Sequence, residues 1–198
     1  MKLASEGIYH IYNQGNNRRQ IFYSEQDYLH FLRIFRHRVL PYSDVFAWCL
    51  MPNHFHFLLS ANNDGLIEIQ TGNIVSSNIG NGFRLLQTQY AQYLNKLQQA
   101  SGSVFRQKAK VKEIPKGDNN YSYVCLHYIH QNPLRAGLIN KIEDWTFSSY
   151  PDYAGKRKGS ICNIDLACTL LDIDLQTFQK DSLKVMDEET LAKVRPRF

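Results

Sequence analysis

Residues 45–59 constrain the fold more than any other stretch. Val45-Phe46-Ala47-Trp48-Cys49-Leu50 is a continuous apolar run of strand length, Met51-Pro52-Asn53 has turn chemistry, and His54-Phe55-His56-Phe57-Leu58-Leu59 resumes the chain. Run, short turn and run predict an antiparallel hairpin. Strand side chains alternate faces with period two, so His54, His56 and Leu58 share one face while Phe55, Phe57 and Leu59 share the other. Burying the phenylalanines in a core holds the imidazoles on the opposite side as a stiff two-nitrogen platform. Spacing alone leaves two readings of it: two half-buried, hydrogen-bonded histidines, or part of a metal site that needs a third ligand.

The remaining elements follow from periodicity and breakers. Residues 8–12 read as a strand, and the stretch from Asn13 to Arg19 is a polar turn. Ser24, with Asp27 three residues on, caps a helix that runs through Tyr28, Phe31, Leu32, Phe35 and Val39 and stops at Pro41. Residues 62–82 are rich in Asn, Gly and Ser and read as loop with at most a short helix start. Phe83, Leu86, Tyr90, Leu94 and Leu97 recur at helical spacing. Residues 104–114 alternate well enough for a basic strand, 116–120 form a turn, and 121–131 form another helix. Asn132 is expected at its end, because the residue before a proline, here Pro133, is pushed out of the helical region. In order, strand, helix, two strands, helix, strand and helix predict an α+β fold, a single antiparallel sheet with helices mainly on one face. Residues 1–155 make up the main domain, and 156–198 a short helical C-terminal extension with a basic tail.

A chain of 198 residues can bury one good core. It contains no apolar stretch of about 18 or more residues, and its first residues lead into no signal-like apolar region, so no membrane partner and a cytoplasmic location are expected. Cys49, Cys125, Cys162 and Cys168 show no CxxC spacing and read as reduced thiols. A net charge of +5 and a pI of about 9.0 bias the surface toward polyanions. Arg18, Arg19, Arg106, Lys108, Lys110, Lys112 and Arg135 are the candidate contacts to a phosphate backbone, with tyrosines and phenylalanines nearby for base stacking. Further basic clusters stand at Arg36-His37-Arg38 and Lys156-Arg157-Lys158, and any one cluster taken alone reads better as solvated surface.

Tyr128 and Asn132 are four residues apart and therefore neighbours on one helical surface if the last turn stays helical. If that helix crosses the histidine face, two imidazoles, a carboxamide oxygen and a phenol come together, and three of these can hold a divalent ion. Tyrosine is an uncommon nucleophile because its pKa is about 10, and a metal helps by polarising a phosphodiester oxygen and holding the phosphorus in line. Imidazoles favour zinc, copper, iron or nickel, whereas an open phosphate site also accepts manganese or magnesium. Tyr121, Val124, Cys125 and Tyr128 also form an ordinary packing stripe, and Asn-Pro is ordinary helix-termination chemistry. His10, His30, His37, His127 and His130 have no spacing that improves on this cluster.

Met51-Pro52-Asn53-His54-Phe55-His56 resembles the His-hydrophobic-His motif of HUH nucleases. Tyr128-Ile129-His130-Gln131-Asn132-Pro133-Leu134-Arg135-Ala136-Gly137-Leu138 resembles the tyrosine helix of REP-associated tyrosine transposases. Trp145 with Ser148-Ser149-Tyr150, the turn from Asn13 to Phe22, and Val104-Phe105-Arg106-Gln107 are similar to the same family, so the resemblance spans residues 7 to 155. It implies a ferredoxin-like HUH core and a metal-dependent, single-tyrosine enzyme that cuts hairpin-bearing single-stranded DNA, joining a 5′ phosphate to tyrosine. By it, His54, His56 and Asn132 match the ligands of Mg2+ or Mn2+, and Tyr128 matches the nucleophile. His130 stands where some relatives have a second tyrosine. The stretch 62–82 and the tail after 155 depart from the pattern, and both a homodimer and a monomer are compatible with it. Two rival readings are a hairpin-binding protein with a degenerate site and a small metalloprotein without DNA affinity.

Overall fold

The computed structural model of the chain describes residues 3–5, 7–115 and 119–196. Within them the strands are β1 (Ile8–Gln14), β2 (Ser43–Met51), β3 (His54–Ala61), β4 (Glu68–Thr71), β5 (Ile74–Ser77) and β6 (Lys110–Glu113). The longer helices are α1 (Glu25–Arg38), α3 (Asn78–Leu97) and α4 (Asn119–Arg135). The shorter ones are α2 (Asn63–Leu66), α5 (Tyr150–Tyr153), α6 (Ile164–Leu171), α7 (Phe178–Asp181) and α8 (Glu188–Val194). Four strands form an antiparallel sheet in the order β2-β3-β1-β6, and β4 with β5 form a separate hairpin. The predicted α+β class and antiparallel sheet are the observed ones.

The sheet has two covered faces. Phe55, Phe57, Leu59 and Ile11 meet α1 and α3 in a core that includes Phe31, Phe35, Phe83 and Tyr90. Phe35 stacks on Phe57 with centroids 4.2 Å apart. Leu58, Ala47, Cys49 and Met51 face the other way, onto Leu126 and Ile129 of α4 and Leu171, Phe178, Leu191 and Val194 of the C-terminal helices. A register shift in β2 between Val45 and Ala47 lets Phe46 join that second core as well. The helices therefore divide between the faces rather than lying mainly on one: α1 and α3 on one, α4 and the C-terminal helices on the other.

Local chemistry sets the elements. Asp27 Oδ2 accepts from the backbone N–H groups of Tyr23 and Ser24 at 2.8 Å each, the predicted N-terminus of α1, and its Oδ1 accepts from Tyr93 on α3. Gly82 lets α3 cross close to the end of α1, since a Cβ there would collide with the Arg38 carbonyl. The free edge of β2 is covered by the segment after α4: Leu50 N–H donates to Phe147, Ser149 N–H to Trp48, and Trp145 Nε1–H to the Leu50 carbonyl.

Three expectations change. The stretch 62–82 is not mainly loop: it holds α2, the β4–β5 hairpin and the first turn of α3, where the Ser77 side chain accepts from Gly80 N–H. The basic strand is only Lys110–Glu113, because Val104 and Phe105 turn inward as anchors of a loop that touches Gly15 through one isolated bridge. α4 runs through Asn132 and Pro133 to Arg135 and ends in a Schellman motif, Leu138 N–H to Pro133 and Gly137 N–H to Leu134, with Gly137 left-handed at φ 69°. Residues 116–118 of the turn expected at 116–120, and the last two residues of the basic tail, lie outside the described residues.

Candidate active site

The β1–β3 register assembles the site. Tyr12 stands opposite His56, Gln14 opposite His54 and His10 opposite Leu58, so His10, Tyr12 and Gln14 share the histidine face. His10 and His56 are fully buried, and their Nε2 and Nδ1 atoms are 2.9 Å apart. His54 and His56 lie edge to face with centroids 4.9 Å apart and an interplanar angle of 87°.

A chain of hydrogen bonds orients the first imidazole. Asn53 Nδ2 donates to the Arg18 carbonyl at 3.3 Å, which leaves Asn53 Oδ1 to accept at 2.6 Å from His54 Nδ1. A carboxamide oxygen can only accept, so Nδ1 carries the proton and the lone pair is on Nε2. Burial lowers the His54 pKa to about 4, and burial followed by the charges of His54 and His10 holds His56 well below the usual range. Both rings are therefore neutral at physiological pH, the form that ligates metals.

α4 crosses this face. Tyr128 is 6% exposed, its ring edge-on to His56 at 6.0 Å and to His10 at 6.4 Å. Asn132, one turn on, donates from Nδ2 to the Tyr128 carbonyl at 2.9 Å, which leaves its Oδ1 as an acceptor. Because α4 continues through Pro133, Tyr128 and Asn132 stay on one helical surface. Burial pushes the Tyr128 phenol up to about 12, opposed chiefly by the positive charge of Arg195.

This donor set fits a divalent ion. His54 and His56 each engage one ring nitrogen with a polar neighbour, the arrangement that fixes ring and tautomer in metal sites, and Asn132 retains an oxygen. His54, His56 and Asn132 are the residues that could hold it. Among the described residues no group of three or more His, Cys, Asp or Glu side chains forms a candidate metal cluster.

The seven basic candidates do not form one stripe. Arg18 and Arg106 converge, with Gln14 and Asn17, on a cavity of about 410 Å³. Lys110 and Lys112 are on the histidine face, opposite Tyr12 and His10, and the Lys112 ammonium reaches the Lys193 carbonyl and the Tyr121 ring. Lys108 lines a groove between β5 and α3, Arg19 is held by Gln98 Oε1 at 2.7 Å, and Arg135 is exposed one turn beyond Asn132. Sequence reasoning missed three partners: His10 beside His56, Asn53 behind His54, and Gln14. The signal for His10 was its period-two spacing with Tyr12 in a strand that had to pair with β3.

The chain aligns with the solved structure of a REP-associated tyrosine transposase bound to a REP hairpin, with a TM-score of 0.55 over 83% of this chain and 87% of the other, at 17% sequence identity. The chain has the fold of a tyrosine transposase. No protein-family model matches it, and no curated protein matches it. Among the described residues, no helix is long and apolar enough to cross a membrane.

Proposed function

We propose that this protein is a metal-dependent nuclease and strand transferase for hairpin-bearing single-stranded DNA, with Tyr128 as nucleophile and His54, His56 and Asn132 as ligands of Mg2+ or Mn2+. The observation that carries this reading is the placing of Tyr128 edge-on to the buried His56, the strand neighbour of the oriented His54, with a carboxamide oxygen one helical turn away. The solved neighbour's bound REP hairpin and the basic surface around Arg18, Arg106, Lys110 and Lys112 support a DNA substrate. In this reading residues 1–155 carry the chemistry, and the described part of 156–198 covers the outer side of α4.

Bound divalent metal would supply Lewis-acid polarisation of the scissile phosphate. The chain supplies position and proton control. Tyr128 holds its proton at neutral pH, so that proton passes to solvent as the Oη–P bond forms and the P–O3′ bond breaks, and the departing 3′ oxygen takes one up from solvent, leaving the proton count unchanged. Burial of the phenol against His10 and His56 keeps water from competing for the phosphorus. The phosphotyrosine ester conserves the bond for rejoining by an incoming 3′ hydroxyl, after which the phenol is restored.

The test is covalent. Wild-type protein incubated with Mn2+ or Mg2+ and labelled hairpin oligonucleotides should give a denaturation-resistant adduct that Tyr128→Phe does not form. An adduct retained by Tyr128→Phe would disprove the nucleophile. Hairpin binding without cleavage across metals and sequences would favour the binding-protein reading, and failure to bind DNA would favour the metalloprotein.

A further inference from the structure

The cavity at the end of β1 contains an unmet demand. Gln14 is only 7% exposed, yet its Oε1 has no hydrogen-bond partner among the described residues. Its backbone is fully used: the N–H donates to Asn13 Oδ1 at 2.8 Å and the carbonyl accepts from Arg106 N–H at 2.9 Å. A buried acceptor without a donor is uncommon, because the amide has given up water and received nothing in return. The side chain borders the cavity of about 410 Å³, together with Asn17, Arg18 and Arg106, and that volume lies in the ordinary range for small-molecule sites of about 300–1,000 Å³.

The surroundings define what fits. Arg18 and Arg106 are exposed, and neither guanidinium has an acidic partner among the described residues. Asn17 and Arg18 are consecutive non-glycine residues in the left-handed region, at φ 51° and 60°, a strained turn that holds Arg18 at the rim. The Arg18 carbonyl accepts from Asn53, the residue that orients His54. Gln14 is also the cross-strand partner of His54 on the same face. A neutral amide floor, two cationic walls and a place beside His54 across the β1–β3 register together describe a nucleotide rather than a free anion.

We infer that this cavity is a nucleobase pocket in which Gln14 reads the base adjoining the cleaved phosphodiester while Arg18 and Arg106 hold flanking phosphates. The inference rests on the DNA-cleaving reading above. A recessed oxygen acceptor is reached best by a donor that protrudes from the ring, and exocyclic amines do so in adenine and cytosine; thymine has none. Glutamine pairs with adenine through the N6 amine and N7 in the same way. The pocket is therefore selective for an amine-bearing base over thymine.

Fluorescence anisotropy with labelled ten-nucleotide oligodeoxyadenylate, oligodeoxycytidylate and oligothymidylate tests this on the full chain. The wild type should bind the adenine or cytosine strand about tenfold more tightly than the thymine strand, the discrimination of one good amide–base pair. Gln14→Met should abolish that preference while keeping thymidylate affinity and the thermal midpoint. Arg106→Ala should weaken all three strands alike and make the salt dependence shallower by about one counterion. If Gln14→Met retains the preference, or if the wild type binds all three strands equally, the base pocket is wrong while the DNA-cleaving reading survives. If the wild type binds none of them in metal and low salt but binds the labelled hairpin, the base pocket alone is wrong; if it binds neither, both readings are wrong.

Discussion

The two faces of β3 differ in chemistry far more than in exposure. Phe55 and Phe57 are fully buried on one side and His56 is fully buried on the other. On the phenylalanine side the neighbours in the core are mainly apolar and aromatic, and burial stabilises in proportion to area removed from water. On the histidine side the same degree of burial strips water from imidazoles, an amide and a phenol, and its product is altered reactivity: neutral rings, His54 with its tautomer fixed by Asn53, and a phenol that keeps its proton. The lesson is that a costly polar layer is held in place by an apolar layer one strand thickness away.

Substitutions on the two faces should therefore move different observables. The largest effect should come from Phe57→Ala, which removes the ring stacked on Phe35 and should cost about 3–5 kcal/mol in urea unfolding. His54→Ala should abolish the covalent adduct and cost within about 1 kcal/mol of stability. A loss with His54→Ala as large as that with Phe57→Ala would make the imidazole a core residue and collapse the comparison.

Acid should act on the histidine side. His127, whose Nδ1 is 3.0 Å from Ser182 Oγ, has its pKa lowered to about 4, mainly by burial. The unfolded chain binds this proton below about pH 6.5 and the folded chain only below about 4, so stability falls as pH drops through that window, by on the order of 3 kcal/mol at most. Urea midpoints measured between pH 7 and 4.5 should show that slope in wild type and a shallower one in His127→Gln. Ser149→Ala comes next. Its hydroxyl accepts from Trp48 N–H at 2.9 Å and lies 2.7 Å from His130 Nε2, so its loss strands buried polar groups and should cost about 1–3 kcal/mol by thermal melting. The smallest change belongs to the phenylalanine side: Asp27→Asn weakens the α1 cap and should cost about 1 kcal/mol, read by the same melt.

Much of this comparison was legible in the sequence. The alternation of His54, Phe55, His56 and Phe57 assigned the faces, and helical spacing placed α1 and most of α3, because those patterns arise from burial itself. The register was not legible, since it depends on which strand pairs with β3, and so the partnership of His10 with His56 stayed hidden. Asn132 was expected at a helix end because Pro133 follows it, yet the turn continues to a Schellman cap formed by Gly137 and Leu138; tertiary packing of α4 overrides the local signal. Asn, Gly and Ser in residues 62–82 looked like loop although Gly82 is demanded by a close helix crossing. Composition there reports a steric need, not an absence of structure.

The sheet ends on one side in β6, a strand of four residues with lysines at 110 and 112, while its other border is covered by the segment around Phe147. An antiparallel joining of two copies through β6 would set these cations beside one another over very few ladder bonds. A short border that carries like charges is a poor template for edge-to-edge joining of copies.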